Sequence, residues 1–331
     1  MFTIAEIAQA HEGSLGIAHS YIDALSKTGV DAVKFQVHIA EAESSIHEPF
    51  RVKFSTQDKT RFDYWKRMEF SLDQWQELKA HCDEAGVEFM ASAFSNAAVD
   101  LLEQLGVKRY KVGSGEVNNF LLLQKIAATN KPLILSSGMS SFSELDKTVA
   151  FLKKLKAEYS ILQCTTSYPT RPENYGLNVI KELKKRYGVD VGYSDHSAKI
   201  ETCIAATALG AEILEFHAVF NRKMFGPDAS SSLEIEEIVQ LVSAVKNISL
   251  AQQHLVNKED NSQFRDLKNI FEKSLAVNKD LPKGHILTFE DLESKKPKGY
   301  GLDASNFKEV IGRKLSRNLG QWEFLREEDL S

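Results

Sequence analysis

The chain has 331 residues, 43% of them hydrophobic and 26% charged, with a formal net charge of −5 at pH 7. That balance supplies a large core and excludes a low-complexity chain or a strongly basic nucleic-acid-binding one, although a small anionic ligand stays compatible with it because local fields outweigh the sum. Three cysteines, Cys82, Cys164 and Cys203, lie far apart and form no CxxC pair, which fits a reducing compartment and gives no disulfide frame.

The first residues, MFTIAEIAQAHEGS, carry an acid and a histidine early and lack the basic start and long apolar run of a signal peptide. No apolar stretch reaches membrane-spanning length, so a cytoplasmic protein with no membrane partner is expected. From there, short runs rich in β-branched and aromatic residues alternate with longer amphipathic ones. The predicted strands are TIAEIA (3–8), DAVKFQVH (31–38), VEFMASAF (87–94), RYKVGS (109–114), PLILSS (132–137), YSILQC (159–164), VDVGYS (189–194) and EILEFH (212–217). Predicted helices between them include GIAHSYIDALSKTG, SLDQWQELKAHCDEAG, NAAVDLLEQLG, SFSELDKTVAFLKKLK and LNVIKELKKRYG, several with a Ser start or a Gly stop, and SLEIEEIVQLVSAVKN follows the last strand.

Eight strand–helix units within about 250 residues predict an α/β fold, a (β/α)8 barrel; an open doubly wound sheet would normally have fewer strands. Residues 39–70 form a long connection after the second strand, either a solvated insertion or a lid over the catalytic end. The expected organisation is a barrel over 1–250, a polar linker over 251–270 and a small β-rich domain over 271–331, where Pro-Lys-Gly turns replace long helices.

In such a barrel the C-terminal strand ends build the active site. The first strand offers Glu6. The second offers Lys34, Gln36 and His38, whose spacing of two puts them on one face. The fourth ends in Lys111, Ser114 and Glu116, the fifth in Ser136 and Ser137, the sixth near Tyr168, the seventh in Ser194, Asp195 and His196, and the eighth in Glu215 and His217. A buried lysine without a partner is costly, so two of them, with Ser114, Ser136, Ser194 and the Gly113-Ser114-Gly115 turn, predict a pocket for a phosphate or phosphate-plus-carboxylate ligand. His196 and His217, on adjacent strands, can reach one metal ion, with Glu215 expected to orient His217 or to bind the ion through water; Asp228 is a further acidic candidate.

The pieces AEIAQAHEGS, VKFQVH, YKVGSGE, ILSSGM, CTTSYPT, GYSDHS, ILEFH and GPD, in this order over residues 5–228, resemble the sialic acid synthase family. The segments KSLAVNKDLPKGHILTFEDL and KKPKGYGL resemble that family's C-terminal antifreeze-like (SAF) domain. The resemblance implies condensation of phosphoenolpyruvate with an N-acylmannosamine-type sugar to give a nine-carbon acidic sugar and phosphate. It implies a phosphoenolpyruvate pocket at Lys34, Lys111, Ser114, Ser136, Ser194 and Tyr168, and a divalent metal, Mn2+ or Mg2+, on His196 and His217. It places Glu6, Gln36, Glu116 and Asp228 near sugar, water or metal, with Glu6 and Glu116 steering the water that adds at carbon 2. It also implies a domain-swapped homodimer in which Lys296 stands where the family has an arginine that reaches the N-acyl group of the sugar. Ala10, Thr166 and Ala218-Val219 also depart from the family pattern. These departures fall on the sugar-facing positions rather than on the phosphoenolpyruvate and metal residues; legionaminate synthesis is the alternative, with a metal-dependent aldolase behind it.

Overall fold

The computed structural model describes residues 1–52 and 54–331. Strands β1 (Phe2–Ala8), β2 (Ala32–Val37), β3 (Glu88–Ala93), β4 (Tyr110–Val112), β5 (Leu133–Ser136), β6 (Tyr159–Cys164), β7 (Val191–Asp195) and β8 (Ile213–Val219) pair in sequence order, all parallel. Strand β8 then pairs with β1, Glu6 opposite His217, and closes the sheet into a barrel. All eight strands overlap the segments predicted from sequence. Helices over Phe120–Ala127 and Ile200–Ala208 complete the outer ring alongside the helices anticipated above.

Local chemistry sets the helix ends. Ser71 and Ser141 close capping boxes with Gln74 and Glu144, and Gly106 and Gly188 end their helices in the left-handed conformation. The outward faces of the strands, among them Val33, Phe35 and Val37, bury against these helices in one continuous core. Inside the barrel, Ile4, Ala32, Met90, Ile134, Leu162 and Ile213 meet in a second cluster, with Phe2 packed against it, and plug the N-terminal end. Gly192 belongs to this tight layer: a Cβ there would lie 2.3 Å from the Ile213 carbonyl oxygen.

The connection after β2 is folded. It holds helices Ala40–Glu43 and Arg61–Met68 and an aromatic cluster of its own, with Tyr64, Trp65 and Met68 buried against Phe50, Phe54 and Phe62. Arg67 ties its base down, donating to the Glu12 carboxylate at 2.9 Å and to Asp58 at 2.8 Å. A solvated insertion would need no such interior.

Two compact units divide the chain, Met1–His254 and Leu255–Ser331. In the second, Ser274–Val277 pairs antiparallel with Leu292–Lys295 over a core that includes Leu275, Val277, Leu287, Leu315 and Leu325. Lys296 follows that hairpin, its ammonium 4.9 Å above the Phe271 ring. No helix among the described residues is long and apolar enough to cross a membrane.

Candidate active site

One step above the apolar plug, each strand contributes one side chain to a ring: Glu6, Lys34, Ser92, Lys111, Ser136, Cys164, Ser194 and Glu215, all buried. The period of two along each strand produces this layering, with apolar Ile4, Met90 and Leu162 directly below Glu6, Ser92 and Cys164. The ring lines a cavity of about 60 Å³.

Both lysines have carboxylate partners within the ring. Glu215 Oε1 lies 3.2 Å from Lys111 Nζ and accepts from Ser194 Oγ at 3.0 Å, while Oε2 lies 3.5 Å from Lys34 Nζ. Lys34 also touches the Glu6 carboxylate and donates to Ser92 Oγ at 3.1 Å. Glu215 thus serves the lysines, where the sequence pointed to orienting His217 or to holding an ion through water. Two ammoniums and two carboxylates balance, as burial demands. Burial lowers the Lys34 ammonium to about 7, against the opposing pull of Glu215. Glu6 Oε1 and Ser136 Oγ are buried without a hydrogen-bond partner among the described residues, which marks open capacity for a ligand.

Above the ring, Ser114 Oγ and Thr166 Oγ1 lie 3.1 Å apart. Gly138 makes this approach possible. Its φ is +26°, and a Cβ there would sit 2.1 Å from Ser114 Cβ and 2.5 Å from Thr166 Oγ1. Gly138→Ala is expected to cost about 1–3 kcal/mol of stability, read by chemical denaturation, and to weaken binding of inorganic phosphate measured calorimetrically, because Ser114 must move.

His196 and His217 stand with ring centroids 5.3 Å apart, and Tyr168 packs 4.2 Å from His196. His196 Nδ1 donates to the Thr165 carbonyl at 3.0 Å, which leaves Nε2 as the available lone pair. Burial pulls both imidazoles down to about 3, so both are neutral, the ligating form. Asp195 points the other way, accepting from Ser197 and Thr202, and so anchors the turn that carries His196. Among the described residues no three His, Cys, Asp or Glu side chains form a metal-holding group, so a divalent ion here would have the two histidines and water as ligands.

A wider cavity of about 420 Å³ opens above, lined by Gln36, Glu116, Tyr168, His217 and Asp228 together with Phe50, Arg51, Tyr64 and Trp65 from the folded connection. That connection therefore walls the mouth, as a lid does. Gln36 Oε1 accepts from Gln9 at 3.1 Å, and His38, stacked 3.9 Å from Trp65, lies 3.1 Å from the same oxygen. Burial raises the Glu116 carboxyl, against a 2.6 Å hydrogen bond from Asn119, and the Glu43 charge raises it further. Asp228 accepts from Arg51 at 2.6 Å, and that guanidinium lies 3.9 Å over the Tyr168 ring. Sequence reasoning missed Arg51, Gln9 and Trp65. Arg51 sits in an aperiodic stretch, and only the lid fold brings it to Asp228, 177 residues away.

The profile of the NeuB family matches residues 21–257, and that of the SAF domain matches residues 272–331. The chain is 34% identical over 330 residues to the N,N'-diacetyllegionaminic acid synthase of Campylobacter jejuni, covering 98% of each chain. It is also 34% identical over 340 residues to the human N-acetylneuraminate-9-phosphate synthase, covering 99% of this chain and 92% of that one. A crystal structure of N-acetylneuraminic acid synthetase from Leptospira borgpetersenii, in complex with citrate, superposes with a TM-score of 0.71 at 30% identity over 80% of this chain and 89% of that chain.

Proposed function

From the premise that this chain belongs to the NeuB family, we propose that it is a nonulosonate synthase condensing phosphoenolpyruvate with an N-acylmannosamine-type sugar, of the N-acetylneuraminate synthase type. The ring of buried lysines and serines at mid-barrel is the observation that carries this reading. It offers cationic and hydroxyl donors in a cavity fit for a small anion, with a larger polar and aromatic cavity above it of sugar size.

In this reading carbon 3 of phosphoenolpyruvate bonds to the sugar's aldehyde carbon, whose oxygen takes up a proton. Water adds to the cationic carbon 2 and loses a proton, and the tetrahedral intermediate expels phosphate by C–O cleavage. Lys34, Lys111, Ser114, Ser136, Ser194 and Tyr168 hold the enol phosphate. Glu116, whose carboxyl is raised by burial, helps to steer the water that adds at carbon 2. Glu6, with a free oxygen at the inner end, steers the water. Gln36 and Asp228 face the sugar. A Mn2+ or Mg2+ ion held by His196 and His217 would supply Lewis acidity toward the aldehyde oxygen. The domain-swapped homodimer, the role of Lys296 toward the N-acyl group and a cytoplasmic location belong to the same proposal.

A second acceptor, the diacetamido sugar of legionaminate synthesis, is supported by the 34% identity to the Campylobacter enzyme. The test is phosphate release from phosphoenolpyruvate in the presence of each candidate amino sugar. Release is expected with one of them, and is expected to stop when a chelator is added. A metal-dependent aldolase would release no phosphate with any sugar, and that outcome would refute the synthase reading.

A further inference from the structure

Two histidines on the outside of the barrel pose a problem of proton counting. His19, in the helix Leu15–Ser26, and His81, in the helix Leu72–Glu84, face each other with their Nδ1 atoms 2.8 Å apart. The opposite nitrogen of each ring meets a carboxylate: His19 Nε2 lies 3.0 Å from Glu77 Oε1, and His81 Nε2 lies 3.1 Å from Asp23 Oδ1. Each contact needs one proton between its two heavy atoms, and ionised carboxylates only accept. Two neutral imidazoles bring two ring protons to three contacts. If both protons sit on Nε2, two Nδ1 lone pairs face each other. If one moves to Nδ1, an Nε2 lone pair faces a carboxylate oxygen. Either way one contact is repulsive, and one added positive charge at the Nδ1 pair satisfies all three.

We propose that His19 and His81 form a binding site for a borderline d-block dication, Zn2+ foremost, with the two Nδ1 atoms as ligands and water completing the set. The carboxylates fit this assignment. A metal-bound histidine typically donates its other N–H to a carboxylate that fixes the ring, and Glu77 and Asp23 stand where such partners stand. Their two negative charges offset the dication. Both rings are about a quarter exposed, so the ion has an entry path and room for water. Zinc sits about 2.0–2.1 Å from imidazole nitrogen, so a tetrahedral set requires the rings to part by about 0.5 Å, a side-chain rotation. Nitrogen ligands favour Zn2+ over Mg2+ or Ca2+. The ion would clamp the first barrel helix to the helix that directly follows the lid.

The experiment counts zinc bound to the metal-stripped full chain by equilibrium dialysis with metal analysis. His19→Ala and His81→Ala are each expected to bind one equivalent fewer than the wild type, and a His19→Ala/His217→Ala double variant one equivalent fewer than His217→Ala alone. Glu77→Gln and Asp23→Asn are expected to weaken it about 10–100-fold. Zinc should also raise the Tm of the wild type by mass action, and less so in either histidine variant. Should a variant fail to fold, imidazole nitrogen NMR of the wild type decides: zinc must shift the Nδ1 resonances of His19 and His81. Retention of the full zinc count in a folded His19→Ala or His81→Ala protein, or unmoved Nδ1 resonances, overturns the proposal and leaves the pair holding a shared proton.

Discussion

Lys111→Ala is expected to lower the rate of phosphate release from phosphoenolpyruvate by at least about 10²–10³-fold while the protein stays folded. The wild-type ring balances Lys34 and Lys111 against Glu6 and Glu215. Without Lys111 the ring is left with two carboxylates and one ammonium, and an incoming anion meets net repulsion. At an effective dielectric of about 20, one unit charge at about 4 Å contributes on the order of 4 kcal/mol, enough to account for the loss. Folding survives because Glu215 keeps Lys34 at 3.5 Å and Ser194 at 3.0 Å. A phosphate assay with circular dichroism as the folding control checks both halves. Wild-type turnover in the folded variant would remove the ring from the chemistry.

Glu215→Gln is expected to be the most destabilising single change in the site, by about 3–5 kcal/mol in urea denaturation, since it strips a shared counter-charge from two buried ammoniums. The pH profile supplies the sign. Burial pushes the Glu215 carboxyl up, but the Lys111 and Lys34 ammoniums outweigh it and hold the folded group below its ordinary value. Its contribution is therefore fully present above the unfolded value of about 4.3 and is lost as pH falls toward the folded one. Wild-type stability should fall through that acid window, and the variant should lack this component. Equal stability of the two proteins at pH 7 would show that the lysines do not depend on Glu215.

Much of the barrel was legible because its signals are local. A period of two in VKFQVH separates Lys34 and Gln36 from Phe35 and Val37, and Ser or Gly marks several helix ends. The lysines, serines and histidines at the strand ends were found the same way. Which acid meets which lysine was not legible. Lys34 and Lys111 lie on β2 and β4, Glu215 on β8, and only closure of the sheet with its stagger brings them within 3.5 Å. The lid was seen as a length, not as a fold, because Phe50, Phe54, Tyr64 and Trp65 pack without helical or strand periodicity. His19 and His81 read from sequence as lone, structural histidines, since 62 residues separate them and neither belongs to a motif.

The apolar plug below the ring also orders the two cavities. Ile4, Met90 and Leu162 floor the small cavity, and on the other side it shares Gln36, Ser114, Tyr168 and His217 with the larger cavity above it. The two cavities are thus stacked along the barrel axis, the narrow one beneath the wide one.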